Sequence, residues 1–185
     1  MDSAGDPTPF RPARLPEEAW KVLELHREVY SRERGWDEGF ADHVEGPLMA
    51  FAGAEDRRGR IWLAERAGRL IGCVAIVAAP PGREDSGEAG AQLRWFLVSP
   101  EARGRGLGTR LLATALEYAR AEGYRRVFLL TVDALTDAAR LYRAAGFRCV
   151  ERTPKQRLWG ETLAVERYER PLRGGRQTGL AGDSP

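Results

Sequence analysis

The chain alternates between two hydrophobic periods, one typical of amphipathic helices and one typical of strands. Apolar residues recur every three or four positions in four segments, which predicts helices there. Shorter, extended and mostly apolar runs predict strands. The first predicted helix begins near Pro16. The other three cover residues 37–51, 106–120 and 138–145. The predicted strands cover residues 10–15, 60–65, 70–77, 92–98, 127–132, 148–152 and 162–168.

The order of these elements predicts the fold class. A hairpin with its turn at Ala67-Gly68 comes first, and a strand–helix–strand crossover over residues 92–132 follows it. A further helix and a closing pair of strands complete the chain. This order predicts an α/β protein with one mixed sheet and helices on both faces.

Length and composition predict a single domain. A chain of 185 residues is long enough for one buried core but short for two. Residues 1–9 and 173–185 are rich in Gly, Pro, Ser and Asp, so we expect disordered ends around a domain spanning 10–172, with a loop over 79–90. We expect a cytoplasmic protein without membrane contact, because no apolar run reaches membrane length and the N-terminus lacks a signal-peptide pattern.

Charge and cysteine content bound the function classes. The formal net charge of +2 is too small to indicate nucleic-acid binding, which remains a less favoured alternative motivated only by local arginine runs. Cys73 and Cys149 lie in apolar or strand-like stretches without metal-ligand spacing. We therefore expect two buried thiols and predict no metal site.

A glycine-rich arginine loop joins the predicted strand 92–98 to the next helix. A helix N-terminus exposes unpaired backbone N–H groups and the positive end of the helix dipole, so such a loop forms an anion cradle. Glycines let the backbone approach a phosphate closely, and arginines add positive charge. The sequence predicts a diphosphate held here, and the residues concerned are Arg103, Gly104, Arg105, Gly106, Leu107, Gly108 and Thr109.

The spacing of the glycines narrows the kind of diphosphate. A Walker loop requires a Lys-Ser or Lys-Thr pair, which is missing. A dinucleotide fingerprint beginning at Gly106 would place glycine or alanine at Leu111. Both common nucleotide interpretations therefore lose support, and a tight turn with solvated arginines is the remaining alternative to a ligand loop.

Two motifs resemble those of the GCN5-related N-acetyltransferase (GNAT) superfamily. Residues 98–108 contain Val-x-Pro followed by Arg-x-x-Gly-x-Gly, which resembles the coenzyme A diphosphate loop of that family. Residues 138–147 read A-A-R-L-Y-R-A-A-G-F, which resembles the Ala-x-x-Leu-Tyr-x-x-x-Gly-Phe segment after its fifth strand. The resemblance covers residues 10–172 in architecture and is specific mainly over 92–147.

The resemblance implies a mostly antiparallel sheet splayed between its fourth and fifth strands, with acetyl-CoA as co-substrate. Main-chain groups of Leu97 and Val98 would bind pantetheine, and a primary amine on a small molecule or peptide would attack directly in a ternary complex. Tyr142 matches the family tyrosine that protonates the departing thiolate. Its alternative role is that of a core tyrosine. The late hairpin often contributes to dimers in this family, so a homodimer is possible.

Departures from the family pattern leave a second function open. Gln92 stands where many relatives carry a glutamate that serves as general base, and Leu135 stands where an asparagine often contacts the coenzyme. A non-catalytic acyl-CoA sensor or interaction module is therefore the alternative to an acetyltransferase.

The N-terminal helices border the acceptor cleft in this family. His26 and His43 are expected to have surface or packing roles there, and Tyr30, Trp36 and Phe40 either line the acceptor pocket or pack together. Residues 30–40 and 130–135 resemble acetyltransferase modules fused to MarR-type regulators. Because no winged helix fits before Phe10, we expect a stand-alone relative.

Overall fold

The structure is a computed structural model that describes residues 8–55, 57–79 and 90–172. The ends predicted to be disordered, apart from residues 8 and 9, and residues 80–89 of the predicted loop lie outside the described residues. The helices are α1 (Ala19–Arg34), α2 (Glu38–Gly53), α3 (Leu107–Ala121) and α4 (Thr136–Ala144), with a 3-10 turn at Pro100–Ala102. The strands are β1 (Phe10–Pro12), β2 (Gly59–Arg66), β3 (Arg69–Ala78), β4 (Gly90–Val98), β5 (Arg126–Val132), β6 (Arg148–Arg152), β7 (Gln156–Leu158), β8 (Glu161–Leu163) and β9 (Val165–Pro171).

Seven of these strands form one mixed sheet. Its spatial order is β1-β2-β3-β4-β5-β9-β6. The β4–β5 pair is parallel and is connected through α3, while the other neighbours in this sheet run antiparallel. The predicted fold class is confirmed, because the crossover over 92–132 forms the parallel pair.

Helices cover both faces of the sheet and bury its central strands. In β3, Cys73 and Ala75 pack in the cluster that contains α1 and α2, whereas Val74 and Ile76 pack in the cluster that contains α3 and α4. All four side chains are buried. A strand buried on both faces has no polar alternation, which explains the continuous apolar run of the sequence.

The predicted closing pair of strands is wrong in one respect. Residues 162–168 do not form one strand but divide between β8, which pairs with β7 in a separate two-stranded sheet, and β9, which joins the main sheet. The chain is tied down between them, because Ala164 donates to Asp133 Oδ1 (3.0 Å) and its carbonyl accepts the Asp133 N–H (3.0 Å). The strand is interrupted where these two hydrogen bonds form. The β7–β8 turn contains Trp159 in a left-handed conformation (φ 49°).

One cysteine prediction is also wrong. Cys73 is buried as expected, but Cys149 is exposed. The reason is the position of β6 at the edge of the sheet, where all five of its residues are exposed. An edge strand can satisfy strand propensity without burying its side chains.

The described residues contain neither a membrane-spanning helix nor a cluster of metal ligands. No helix there combines the length and the hydropathy that a membrane crossing requires. Within the same ranges, no three or more His, Cys, Asp or Glu side chains are grouped so that they could hold a metal ion.

Candidate functional site

A gap opens between the two parallel strands of the sheet. The β4–β5 ladder pairs residues 90–92 with residues 126–128 and does not continue beyond them. Further along, β4 contains a bulge at which Trp95 adopts a left-handed conformation (φ 44°) and the register with β3 shifts. The Cys73 thiol donates to the Trp95 carbonyl at 3.1 Å and so satisfies a backbone acceptor of the bulge. The second half of β4 therefore presents a backbone edge that β5 leaves unpaired.

A cavity of about 510 Å³ lies at the C-terminal end of β4. It contains most of the predicted coenzyme-binding residues, although Arg105 is not among the residues that line it. The lining includes α1, the end of β4, the glycine-rich loop and α4. Its residues are Tyr30, Glu33, Arg34, Phe96, Leu97, Val98, Ala102, Arg103, Gly104, Gly106, Leu107, Gly108, Thr109, Leu135, Thr136, Asp137, Ala138 and Leu141. We call it the loop cavity.

The glycine-rich loop presents backbone amides at the start of α3. The first intrahelical bond of α3 runs from the Arg110 N–H to the Gly106 carbonyl at 3.1 Å, so the amides of residues 107–109 have no intrahelical acceptor. Gly104 (φ 73°) and Gly106 (φ 76°) have left-handed conformations that a side chain would strain. The N–H groups and the helix dipole together create a site suited to an anion.

Arg103 is bound by the protein itself. Its guanidinium donates to both carboxylate oxygens of Glu33 at 2.7 and 2.8 Å, and its Nε donates to the Val98 carbonyl at 3.0 Å. The predicted positive charge of Arg103 is therefore offset by a carboxylate that lines the same cavity. Arg105 is exposed and has no carboxylate partner among the described side chains.

A second cavity of about 410 Å³ lies on the other side of the gap. We call it the aromatic cavity. Three residues, Tyr30, Phe96 and Leu135, line both cavities, so the two meet at the splayed strands. The aromatic cavity is lined by His26, Tyr30, Phe40, His43, Val44, Gln92, Leu93, Arg94, Trp95, Phe96, Leu129, Leu130, Thr131, Val132, Leu135, Tyr142, Leu158, Trp159 and Val165.

Stacked aromatic rings form one wall of the aromatic cavity. Tyr30 stacks on Trp36 with ring centroids 4.8 Å apart, and Phe40 contacts both rings at 4.7 and 4.9 Å. Trp159 packs on this group from the β7–β8 turn, 5.0 Å from Phe40 and 5.3 Å from His43. The predicted packing of the three aromatic residues is present, and Tyr30 and Phe40 also line the cavity, while Trp36 is buried behind them.

Tyr142 lines the aromatic cavity, not the loop cavity. The preceding residue of α4, Leu141, lines the loop cavity, so this turn of the helix separates the two spaces. Tyr142 is 6% exposed and packs between Phe96 and Phe147, with both centroid distances at 6.0 Å. Burial raises the pKa of its hydroxyl well above the ordinary value, so the proton stays on oxygen at neutral pH. Its position serves a packing role and also leaves the ring in contact with the cavity.

The two histidines differ in their surroundings. His26 is buried, its Nδ1 lies 2.8 Å from the Val22 carbonyl, and burial lowers its pKa to about 4. The ring is therefore neutral, with Nδ1–H donating to that carbonyl. His43 is exposed where α2 borders the cavity, and its pKa is lowered by partial burial and by the charge of Arg94. Gln92 also lines the cavity, where its amide cannot accept a proton.

Two residues of the aromatic cavity were missed by sequence reasoning. Arg94 is a charged residue inside an otherwise apolar strand, and that contrast could have marked it. Trp159 reaches the cavity from the β7–β8 turn, and its Trp-Gly pair in a short polar segment is typical of a turn. Leu135, which stands where an asparagine often occurs in the family pattern, lies directly before α4 and makes no side-chain capping bond.

The family model described as the acetyltransferase (GNAT) family matches residues 19–147, and the chain therefore belongs to this family. A rat (Rattus norvegicus) N-acetyltransferase family 8 member 2 is 38% identical over 91 residues, which cover 49% of this chain and 39% of that protein. A mycothiol acetyltransferase from Thermobispora bispora is 32% identical over 145 residues, covering 75% of this chain and 44% of that protein. The chain thus spans less than half the length of these relatives.

A solved structure shows the same fold. The GCN5-related N-acetyltransferase from Kribbella flavida superposes with a TM-score of 0.69 at 24% identity. The match covers 89% of this chain and 97% of that one.

Proposed function

We propose that the chain is an N-acetyltransferase that moves an acetyl group from acetyl-CoA to a primary amine by direct attack in a ternary complex. The observation that carries the proposal is the meeting of two cavities at the splayed strands, one with an amide cradle and one with Tyr142. Acetyl-CoA would supply the thioester, and the chain supplies binding, orientation and proton transfer. No nucleophilic side chain is needed for this route.

The backbone hydrogen-bonding groups of the loop cavity match those that coenzyme A requires. Amides of residues 107–109 and the glycines before them match a diphosphate, which needs several N–H donors at close range. The unpaired edge of β4 at Leu97 and Val98 offers main-chain groups to an extended, amide-containing arm. This combination supports coenzyme A more than a bare nucleotide.

Tyr142 is the proposed general acid. Its raised pKa keeps the phenol protonated, and a proton donated to the departing thiolate avoids a free thiolate as leaving group. The amine also has to lose a proton. With glutamine at position 92, we assign that step to His43, whose lowered pKa leaves a neutral imidazole at neutral pH.

The experiment combines binding and turnover on the full chain. Titration calorimetry should detect coenzyme A binding, and thiol release from acetyl-CoA should depend on an added amine. Coenzyme binding without release for any amine would favour the sensor alternative. Absence of coenzyme binding by folded protein would reject the proposal, and salt-dependent binding of DNA or RNA would then favour the nucleic-acid alternative.

A further inference from the structure

Arg94 gives the aromatic cavity a positive charge that no carboxylate of the described residues neutralises. Among the described residues that line this cavity, it is the one Arg or Lys, and none is Asp or Glu. Its side chain makes no ion pair with a described carboxylate, whereas Arg103 in the loop cavity is doubly bonded to Glu33. Arg94 thus differs from Arg103, whose charge a carboxylate already offsets.

The bulge in β4 explains how a charged side chain comes to lie there. In a regular strand, consecutive side chains point to opposite faces. The left-handed residue Trp95 interrupts that alternation, and both Arg94 and Trp95 lie toward α2. The Arg94 guanidinium lies over the Trp95 ring, 4.9 Å from its centroid. The contact with the ring orients the guanidinium, and because it uses the face of the group, it does not engage the N–H donors.

The Arg94 guanidinium is partly buried, and its N–H donors are not taken up by other described residues, so they are available to a ligand in the cavity. Burial lowers the pKa of Arg94, yet a guanidinium keeps its proton at any physiological pH. Its planar fork matches the two oxygens of a carboxylate. The remaining walls are apolar or aromatic, from Tyr30, Phe40 and Trp159. A fixed positive charge in this space also disfavours polyamines.

We propose that the acceptor is a small amine that carries a carboxylate and an apolar body, the chemistry of a free apolar or aromatic amino acid, and that Arg94 binds the carboxylate. This inference rests on the proposed acetyl transfer and specifies its substrate class. Arg94 is thereby a specificity-determining residue, and the aromatic wall holds the side chain of the acceptor.

The test uses matched pairs that differ only in the carboxylate: L-phenylalanine and phenethylamine, L-tryptophan and tryptamine, L-leucine and isopentylamine. With acetyl-CoA saturating, kcat/KM should favour the amino acid of at least one pair about 10- to 100-fold, the range of a charged hydrogen-bonded pair. Arg94→Gln should bring that ratio near one while leaving the Kd of coenzyme A unchanged. Arg148→Gln, on the exposed strand β6, is the matched control and should keep the wild-type ratio.

A second readout does not need turnover. Fluorescence of the cavity tryptophans, Trp95 and Trp159, is titrated with L-phenylalanine and with phenethylamine in the presence of coenzyme A. Preferential binding of L-phenylalanine that Arg94→Gln abolishes supports the inference, even if no amine is acetylated and the proposed transfer fails. Equal or weaker binding and turnover of the amino acids overturns it, even if amines are acetylated and the proposed transfer holds.

Discussion

The carboxylate of Glu33 holds the guanidinium of Arg103 through two hydrogen bonds, of 2.7 and 2.8 Å, where both residues line the loop cavity. The pair joins α1 to the loop that precedes α3. It also places a negative charge beside the amides that we propose for a diphosphate. Of the two arginines that the loop offers to a phosphate, Arg103 is therefore already paired with a carboxylate.

Replacing Glu33 by Gln should strengthen coenzyme A binding. The change removes a repulsive charge and releases Arg103 toward the phosphates. Because the pair is partly exposed, the gain should be small, about two- to fivefold in Kd, on the order of 0.5–1 kcal/mol. Calorimetry measures it, with Glu45→Gln as control, since Glu45 pairs with Arg27 outside both cavities. Weaker binding by the Glu33 variant would show instead that the carboxylate orients Arg103 for the ligand.

Replacing Tyr142 by Phe should slow turnover and leave coenzyme affinity intact. The ring keeps its packing against Phe96 and Phe147, but the proton donor is lost. A positioned general acid contributes about 10²–10⁴ in rate, so we expect kcat to fall at least about 100-fold. Tyr118→Phe is the control, because Tyr118 packs on Trp62 away from both cavities. Unchanged turnover would remove Tyr142 from the mechanism and leave it a core residue.

Replacing His43 by Gln should remove the enzyme's own contribution to the acid limb of the pH–rate profile and leave only that of the amine. The pKa of His43 lies below the ordinary value of 6.5, so kcat/KM for the wild type should fall as pH drops through that region and the imidazole becomes protonated. The other titratable groups of the cavity do not change charge there: burial lowers the pKa of His26 to about 4 and raises that of Tyr30 to about 12, Tyr142 lies higher, and Arg94 stays charged. Both proteins are assayed with the same amine, so the ionisation of the amine affects them equally. An identical acid limb in the two proteins would exclude His43 as the proton acceptor.

The stability of the fold should decrease between pH 6.5 and about 4 because of His26. The folded state keeps this ring neutral, with a pKa of about 4, whereas the unfolded chain takes up a proton near 6.5. The unfolded state therefore binds more protons in this window. As the pH is lowered through it, the free energy of unfolding decreases by up to about 3 kcal/mol. Urea unfolding at several pH values measures the loss, and His26→Gln should reduce it. His43 adds to the same slope in both proteins, so a slope unchanged by the substitution would contradict the assignment to His26.

The glycine-rich loop and the helix after it could be predicted because their signals are local. Glycine tolerance of positive φ, as at Gly104 and Gly106, and the unpaired amides of a helix start depend on neighbours within a few residues. The crossover order likewise predicted the parallel β4–β5 pair. The division of residues 162–168 could not be predicted, because it depends on the bond between Ala164 and Asp133, which are far apart in the chain.

Periodicity and short motifs were thus sufficient for the fold class and for naming the glycine-rich loop and Tyr142 as candidates, since each rests on residues close together in the chain. The folded arrangement was needed to reveal that Glu33 pairs with Arg103, that Trp159 reaches the aromatic cavity, and that no described carboxylate lines this cavity beside Arg94. Charge pairing and cavity lining join residues separated by tens of positions, and the bulge at Trp95 reverses the facing that strand alternation would assign. Contacts of that kind are set by how distant segments pack, which no local pattern encodes.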